Sequence, residues 1–420
     1  MVSGAAQPRK GTMVEACQAC GSNELKPVLD LGYQPICNEF RPATEVVVSQ
    51  TIYPLCLCHC SQCSLVQLNC LIPTSEIFGD QYTYLTGSSK SLIDYYEALA
   101  PRLAERFNLT ENDVIVDIGS NDGTFLKVFK DLGYSVLGVE GAQVAAQIAE
   151  DDGIPTIREF FGKGISKAIK EQLPPGKRIA IISAMSVVAH TDNIGEFLPE
   201  LAGLMDQETV FISQSHWLLE LIRKFEFDTI YHEHLRYFTI HSLMKLFETH
   251  GLGLFDAEIT EFYGGSILGY ASLNSRDRTP ELTSLLDQED QVDVVQSLKD
   301  MKKVILGNKA KLINLLAGLK NDGKEVVGIG APMKASTLLN FYGITPDLMD
   351  YIVEVNQFKV GTMVPGVRIP VVHEDVLFKE QPPYAVLLTW NMSEHIIPKL
   401  RKLGYTGKII LPVPQVEVME

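Results

Sequence analysis

Residues 114–140 hold a strand, a glycine turn and a helix in an order that leaves few folds open. VIVDIG is a short apolar run, SNDGTFL opens a helix, and SVLGVE is a second apolar run. Apolar strands alternating with helices bury both faces in a parallel sheet, so this stretch predicts the start of a doubly wound α/β domain. Asp117, Gly119, Asn121 and Gly123 lie in the turn, and the glycines remove side chains that would collide with a ligand at the backbone. Glu140 ends the second strand, where a carboxylate can accept both hydrogen bonds of a ribose diol. NAD and S-adenosylmethionine sites share this spacing. The NAD fingerprint is Gly-x-Gly-x-x-Gly with a helix N-terminus facing a pyrophosphate. Here Asp117 and Asp122 would repel a pyrophosphate but suit a sulfonium, so S-adenosylmethionine is the expected cofactor.

Three further strands follow, RIAIISA, ETVFISQS and LGLFDAEI, and SILGYASL can supply the last strand of a mixed sheet of the class I methyltransferase type. Ser183 and Ala184 in RIAIISA join the candidate cofactor-binding set. Phe160, between Glu159 and Phe161, follows the third strand, where it either sandwiches an adenine or packs at the strand end.

All eight cysteines fall between Cys17 and Cys70, in a chain whose first residues lack the apolar core of an export signal. Clustering of that kind reads as a metal site rather than a disulfide framework. Cys17-x-x-Cys20 and Cys60-x-x-Cys63 can each place two thiolates on one zinc ion, closing a structural site; the alternative is reduced, unligated thiols. Cys37, Cys56, Cys58 and Cys70 lie outside the paired spacing, and Cys56 and Cys58 alternate with leucines as in a strand. Tyr82 and Tyr84 sit in a hydroxyl-rich loop beyond this module, where two packing tyrosines in a turn are the plain reading.

The length of 420 residues calls for two or three domains. After Asn274 a polar, acidic stretch leads into a helix predicted from about Val292 to Leu319. EVVGIGAPMKASTLL then repeats the strand, glycine turn and helix order, with Lys334 entering the helix, and YIVEVN and YAVLLTWN add strands. The expected division is a zinc-binding module over 14–85, a Rossmann-like methyltransferase domain over 86–280 and a second Rossmann-like α/β domain, for substrate, over 281–420. Lys334 is either an anion-binding side chain or a solvated lysine. A net charge of −16 argues against nucleic acid or an anionic membrane as partner, and the expected location is the cytoplasm.

Tyr231-His232-Glu233-His234 places four groups that can hold or move a proton side by side. Alone it could bind a metal, act as acid and base, or form a polar surface turn.

In combination the motifs resemble the three-domain sugar C-methyltransferases that act on nucleotide-linked 4-keto deoxysugars. The likeness runs from Cys17 nearly to the C-terminus, on CSQCSLVQL, the Tyr82/Tyr84 loop, VDIGSNDGTFL, EFDTIYHEHLRYFT, YGGSI, GIGAPMKASTLLNF, PGVRIPV and LLTWN. It implies zinc on the cysteine pairs, S-adenosylmethionine in the middle domain and a dTDP-, GDP- or CDP-linked sugar between the middle and C-terminal domains. It implicates Tyr231, Glu233, His234, His190 and the Tyr82/Tyr84 loop in catalysis, and ranks His234 above His232 as base. Glu233 is expected to orient that histidine. His232, Tyr263, Gly264 and Lys334 are the substrate-binding candidates. The implied reaction is methylation of a carbon next to the ketone, at C3, through an enolate. An O- or N-methyltransferase, a nicotinamide-dependent enzyme and an inactive zinc-containing binding protein are the competing classes. Tyr263, Leu268 and Ser186 stand where the family commonly has histidine, arginine and asparagine, which bears on the sugar more than on the reaction.

Overall fold

A computed structural model of the chain describes residues 11–45, 49–78, 84–273 and 276–420. The Tyr82 and Tyr263 side chains lie outside the described residues.

The middle domain is a seven-stranded sheet in the spatial order Gly253–Thr260, Ser266–Ser272, Val210–His216, Arg178–Met185, Asp113–Ile118, Ser135–Val139 and Thr156–Ile157. Only Ser266–Ser272 runs antiparallel to its neighbours. Strand Asp113–Ile118 is buried at every position, as a parallel strand covered by helices on both faces must be. The order reverses beside it, so a crevice opens at the carboxyl ends of Asp113–Ile118 and Arg178–Met185, where open α/β sheets bind ligands.

The C-terminal domain is a second sheet, Val371–His373, Ile352–Glu354, Val326–Ile329, Tyr384–Leu387, Lys408–Leu411 and Glu417–Met419, parallel except for its last strand. Helix Val294–Asn321 precedes it and buries Leu298, Met301, Ile305, Asn308, Leu312 and Leu316, a stripe at three- and four-residue steps. The helix Pro280–Asp290 does not belong here. Its Leu282 and Leu286 sit in the core of the middle domain, and Glu289 accepts hydrogen bonds there from Trp217 Nε1 at 2.7 Å and Ile240 N at 2.7 Å. The boundary expected at 280 therefore falls after Asp290, because a leucine pair outweighs the polar composition around it.

The N-terminal module is not an appendage. Its sheet runs Leu25–Pro35, Ile52–Cys60, Val66–Leu68 and then Arg236–Tyr237, a strand contributed by the middle of the chain. Leu29, Leu55, Leu57 and Leu68 share one apolar cluster with Leu312, Leu338 and Ile352 of the C-terminal domain, while Cys17, Cys60 and Leu65 pack with the middle domain. The module is a wedge between the other two. Among the described residues no helix is long and apolar enough to cross a membrane.

Candidate active site

At the zinc-binding end, Cys17 Sγ and Cys63 Sγ lie 3.4 Å apart and Cys20 Sγ and Cys60 Sγ 3.6 Å apart, with all four sulfurs within 4.8 Å of one another. Sulfurs about 2.3 Å from a tetrahedral zinc stand about 3.8 Å apart, so the cluster is the size of a closed four-thiolate site. Such a site leaves no open position and serves structure. Cys56 and Cys58 lie in the strand Ile52–Cys60 and Cys70 in Cys70–Leu71, away from the four.

The cofactor turn follows strand Asp113–Ile118. Gly119 adopts φ +67°, and a Cβ there would fall 2.5 Å from Val187 Cγ2, so the turn and the segment leading to His190 touch in a way only glycine allows. Glu140 accepts the Asn121 N–H at 2.8 Å and the Ala142 N–H at 2.6 Å, which fixes its carboxylate at the strand tip with lone pairs left for a diol. Ser183 Oγ donates to Asp117 Oδ1 at 2.6 Å, and burial raises the Asp117 carboxyl to about 7. A cationic ligand would return it to the charged form, which suits a sulfonium. Phe160 is 42% exposed and lies over Gly141, where a Cβ would fall 2.4 Å from its ring; Phe161 instead packs on Phe197. An exposed ring beside a glycine leaves a face free on which an adenine could stack. Ala184 is fully buried beneath this edge. The set fits S-adenosylmethionine: Glu140 could hold the ribose, Phe160 the adenine, and Asp117 and Gly119 the amino acid end.

Asp122 has other work. Its Oδ1 accepts from Thr124 N at 3.3 Å and Thr124 Oγ1 at 2.5 Å, and its Oδ2 from Gly87 N at 2.7 Å. It braces the first residue of the helix Thr124–Asp131, whose N-cap is Gly123, and holds a neighbouring segment, so the expected attraction to a sulfonium rests on Asp117. Asn121 makes the same link, accepting from Thr86 N at 2.8 Å and donating to the Tyr84 carbonyl at 3.1 Å. The segment carrying Tyr84 is thus tied to the cofactor turn.

Four rings gather at the carboxyl ends of the central strands. His234 lies 4.1 Å from Tyr231, 4.8 Å from His190 and 5.2 Å from His216, centre to centre, and Phe78 stacks on His190 at 5.7 Å. His234 Nδ1 is 2.7 Å from the Thr229 carbonyl. A carbonyl only accepts, so Nδ1 carries the proton and Nε2 keeps its lone pair. Burial, followed by His190 and His216, pushes His234 well below the ordinary imidazole range. Burial likewise lowers His190 to about 3 and His216 to about 4. Three buried imidazoles packed together stay neutral, and His234 is left with an unprotonated Nε2.

Two expectations are corrected here. Glu233 does not orient His234: its Oε1 accepts from Cys37 Sγ at 3.2 Å, and burial raises it to about 7. The next residue along a turn points elsewhere, and a backbone carbonyl supplies the tautomer lock instead. Lys334 is neither solvated nor a free anion site, since its Nζ lies 3.7 Å from Asp228 Oδ2 and 4.2 Å from the centre of the Trp390 ring. His232 turns away from the other rings, with Nε2 3.2 Å from the Pro54 carbonyl and its ring edge-on to Tyr53. Gly264 approaches Glu226, whose Oε1 would meet a Cβ there at 2.5 Å. Ser186 takes φ +60°, a conformation that asparagine tolerates better than most residues. Leu268 is fully buried in the sheet.

Sequence reasoning passed over His216, Asp228 and Trp390. His216 ends a strand that reads as apolar, and the other two act only across a domain boundary; the available signal was a histidine at the carboxyl end of a central parallel strand.

Sheet order, glycine turn and acid-tipped second strand define an S-adenosylmethionine-dependent methyltransferase. Family models match three successive parts of the chain: a zinc binding domain over 17–78, a methyltransferase domain over 90–255 and a C-methyltransferase C-terminal domain over 261–414. Taken together, the three matches describe an S-adenosylmethionine-dependent C-methyltransferase with a zinc-binding domain. It is 29% identical over 412 residues to the C-methyltransferase NovU of Streptomyces niveus, covering 97% of each. Among solved structures it is similar to an S-adenosylmethionine-dependent methyltransferase from Clostridium acetobutylicum (13% identity, 44% of this chain and 92% of the other, TM-score 0.34). Another is the magnesium protoporphyrin IX methyltransferase of Synechocystis with bound SAM (14% identity, 47% and 88%, TM-score 0.32).

Proposed function

We propose that this C-methyltransferase acts on a nucleotide-linked 4-keto-6-deoxysugar and places the methyl group on the carbon next to the ketone, at C3, by base-catalysed enolate formation. The observation that carries this reading is the His234 tautomer. A carbon bound to hydrogen needs a base before it can act as a nucleophile, whereas an oxygen or nitrogen acceptor does not require one so firmly set. His234 is neutral, held through Nδ1 by the Thr229 carbonyl, and offers Nε2.

When bound, S-adenosylmethionine supplies the electrophilic methyl group that an enolate carbon captures. The chain does the rest. His234 Nε2 takes the α-proton, and the Thr229 carbonyl stabilises the imidazolium that forms. The Tyr231 hydroxyl, 4.1 Å away ring to ring, is the candidate donor to the enolate oxygen, with Tyr84 brought to the same edge by Asn121. His190 and His216 remain neutral beside it, so no second cation weakens the base. The sugar enters between this cluster and the C-terminal domain, and its nucleotide is dTDP, GDP or CDP.

His234→Asn tests the reading. Removing a positioned base costs a factor of about 10² to 10⁴ in turnover. The variant is expected to lose methyl transfer and exchange of the α-proton with deuterated solvent together, while binding S-adenosylmethionine as tightly as before in calorimetry. Exchange at the wild-type rate, or a labelled methyl recovered on oxygen or nitrogen, sinks it.

A further inference from the structure

The C-terminal domain grips residues 227–230 at three points, one apolar and two polar. Asp228 is fully buried; its Oδ2 accepts from Trp390 Nε1 at 2.7 Å and lies 3.7 Å from Lys334 Nζ. Thr337 Oγ1 donates to the Ile230 carbonyl at 3.0 Å. The Phe227 ring packs against Tyr342 at 5.4 Å and Phe341 at 5.6 Å. Trp390 apart, every gripping side chain comes from the helix Met333–Tyr342. A buried ion pair contributes less to stability than apolar side chains of similar size, so the pair Asp228–Lys334 points to placement.

What they place is a single group. Between Asp228 and Ile230 stands Thr229, whose carbonyl holds His234 Nδ1 at 2.7 Å, and whose hydroxyl donates to the Glu226 carbonyl at 2.7 Å within the same turn. Pinning the residues on both sides of a peptide leaves its carbonyl little freedom to rotate. We infer that Asp228, Trp390 and Thr337 are positioning residues: docking of the C-terminal domain locks the Thr229 carbonyl, which locks His234 in the tautomer whose Nε2 can take a proton. Lys334 completes the lock by neutralising Asp228, with its ammonium seated on the Trp390 ring. The inference rests on His234 as the base. It makes the base depend on a domain that holds none of the four clustered rings, so proton abstraction is switched on only in the assembled molecule.

The test uses the full-length, zinc-loaded protein labelled with ¹⁵N-histidine and without cofactor. Signals of the His234 ring are assigned by their loss in His234→Asn. The wild type is expected to show one tautomer with Nδ1 protonated. Trp390→Phe keeps the ring and removes the indole donor; Thr337→Val removes one hydroxyl with little change of shape. Both are expected to show mixed tautomers, and methyl transfer and α-proton exchange reduced about 10²-fold, the scale of a small misplacement, with the S-adenosylmethionine Kd within twofold. Thr337→Ser, which restores the hydroxyl, is expected to recover both tautomer and rate. A single unchanged tautomer in both variants, or rate loss that follows weakened cofactor binding, overturns the inference. Should Trp390→Phe not fold, Thr337→Val decides alone. If His234→Asn exchanges the α-proton normally, the base assignment fails while the tautomer response still reports on the lock.

Discussion

His232 and His234 are two residues apart and have opposite surroundings. His232 meets the carbonyl of Pro54 in the N-terminal sheet, while His234 faces two imidazoles and a phenol. Both are buried, yet only the second lies in the cluster of rings, so identical side chains have separate surroundings. Their shared burial has a consequence in acid. In the unfolded chain imidazoles take protons near pH 6.5, whereas folded His190 and His216 wait until about 3 and about 4. These folded values are depressed, so the unfolded state binds protons first as pH falls. The stability these groups confer is complete above about pH 6.5 and is lost on the way down through about 4 for His216 and about 3 for His190. Titrating the ring protons by NMR from pH 8 to 5.5 should leave His190, His216 and His234 in their neutral positions. A midpoint near 6.5 for any of them contradicts the packing described.

At the scale of elements, the helix Ile240–Glu248 shows how the middle domain holds its shape behind the site. Glu289 accepts from Ile240 N at 2.7 Å, His241 N at 3.1 Å and Trp217 Nε1 at 2.7 Å, which supplies the helix start with an anion and anchors the segment after His216. Glu289→Ala leaves three donors without their carboxylate, and is expected to cost roughly 2 to 4 kcal/mol, summing about 1 kcal/mol or more for each. Urea denaturation would measure it, and a change below about 0.5 kcal/mol, the scale of a surface substitution, would show that the carboxylate is replaceable. Nothing in the sequence joins Glu289 to Trp217. The elements themselves were legible, because VIVDIG, the glycine turn and SVLGVE each carry a local pattern, and the helix predicted from Val292 to Leu319 is observed as Val294–Asn321. The four zinc ligands were legible from spacing for the same reason. What stayed hidden was long-range. Arg236–Tyr237 looks like a continuation of the middle domain but hydrogen-bonds with Val66 and Gln67, and Thr229 has no property in sequence that marks its carbonyl. Backbone groups and cross-domain partners leave no residue-type signal.

The whole molecule turns on that same strand. Arg236 is nearly fully buried and donates through Nη1 to the Val188 carbonyl at 3.1 Å and the Thr191 carbonyl at 2.7 Å, bracketing the turn that carries His190. It is also the edge residue of the N-terminal sheet, whose next strands run back to Cys60 of the metal cluster. A path of packed elements therefore leads from the zinc to the clustered rings, while the cofactor turn at Gly119 and Glu140 is carried by the strands Asp113–Ile118 and Ser135–Val139, which belong to the middle sheet and not to the N-terminal one. Structural zinc typically contributes roughly 10 to 16 kcal/mol of binding energy to the fold around it, far more than a small four-stranded sheet can replace by packing. Stripping zinc with a chelator, or substituting Cys60→Ala, should loosen the N-terminal sheet and release Arg236 from the His190 turn. Turnover is then expected to fall in proportion to the zinc lost, while calorimetry still finds S-adenosylmethionine bound by the middle domain. The two readings separate cleanly, because a zinc that mattered only to its own module would leave a metal-free protein with full turnover, and a zinc needed for the entire fold would take cofactor binding away at the same chelator concentration as activity.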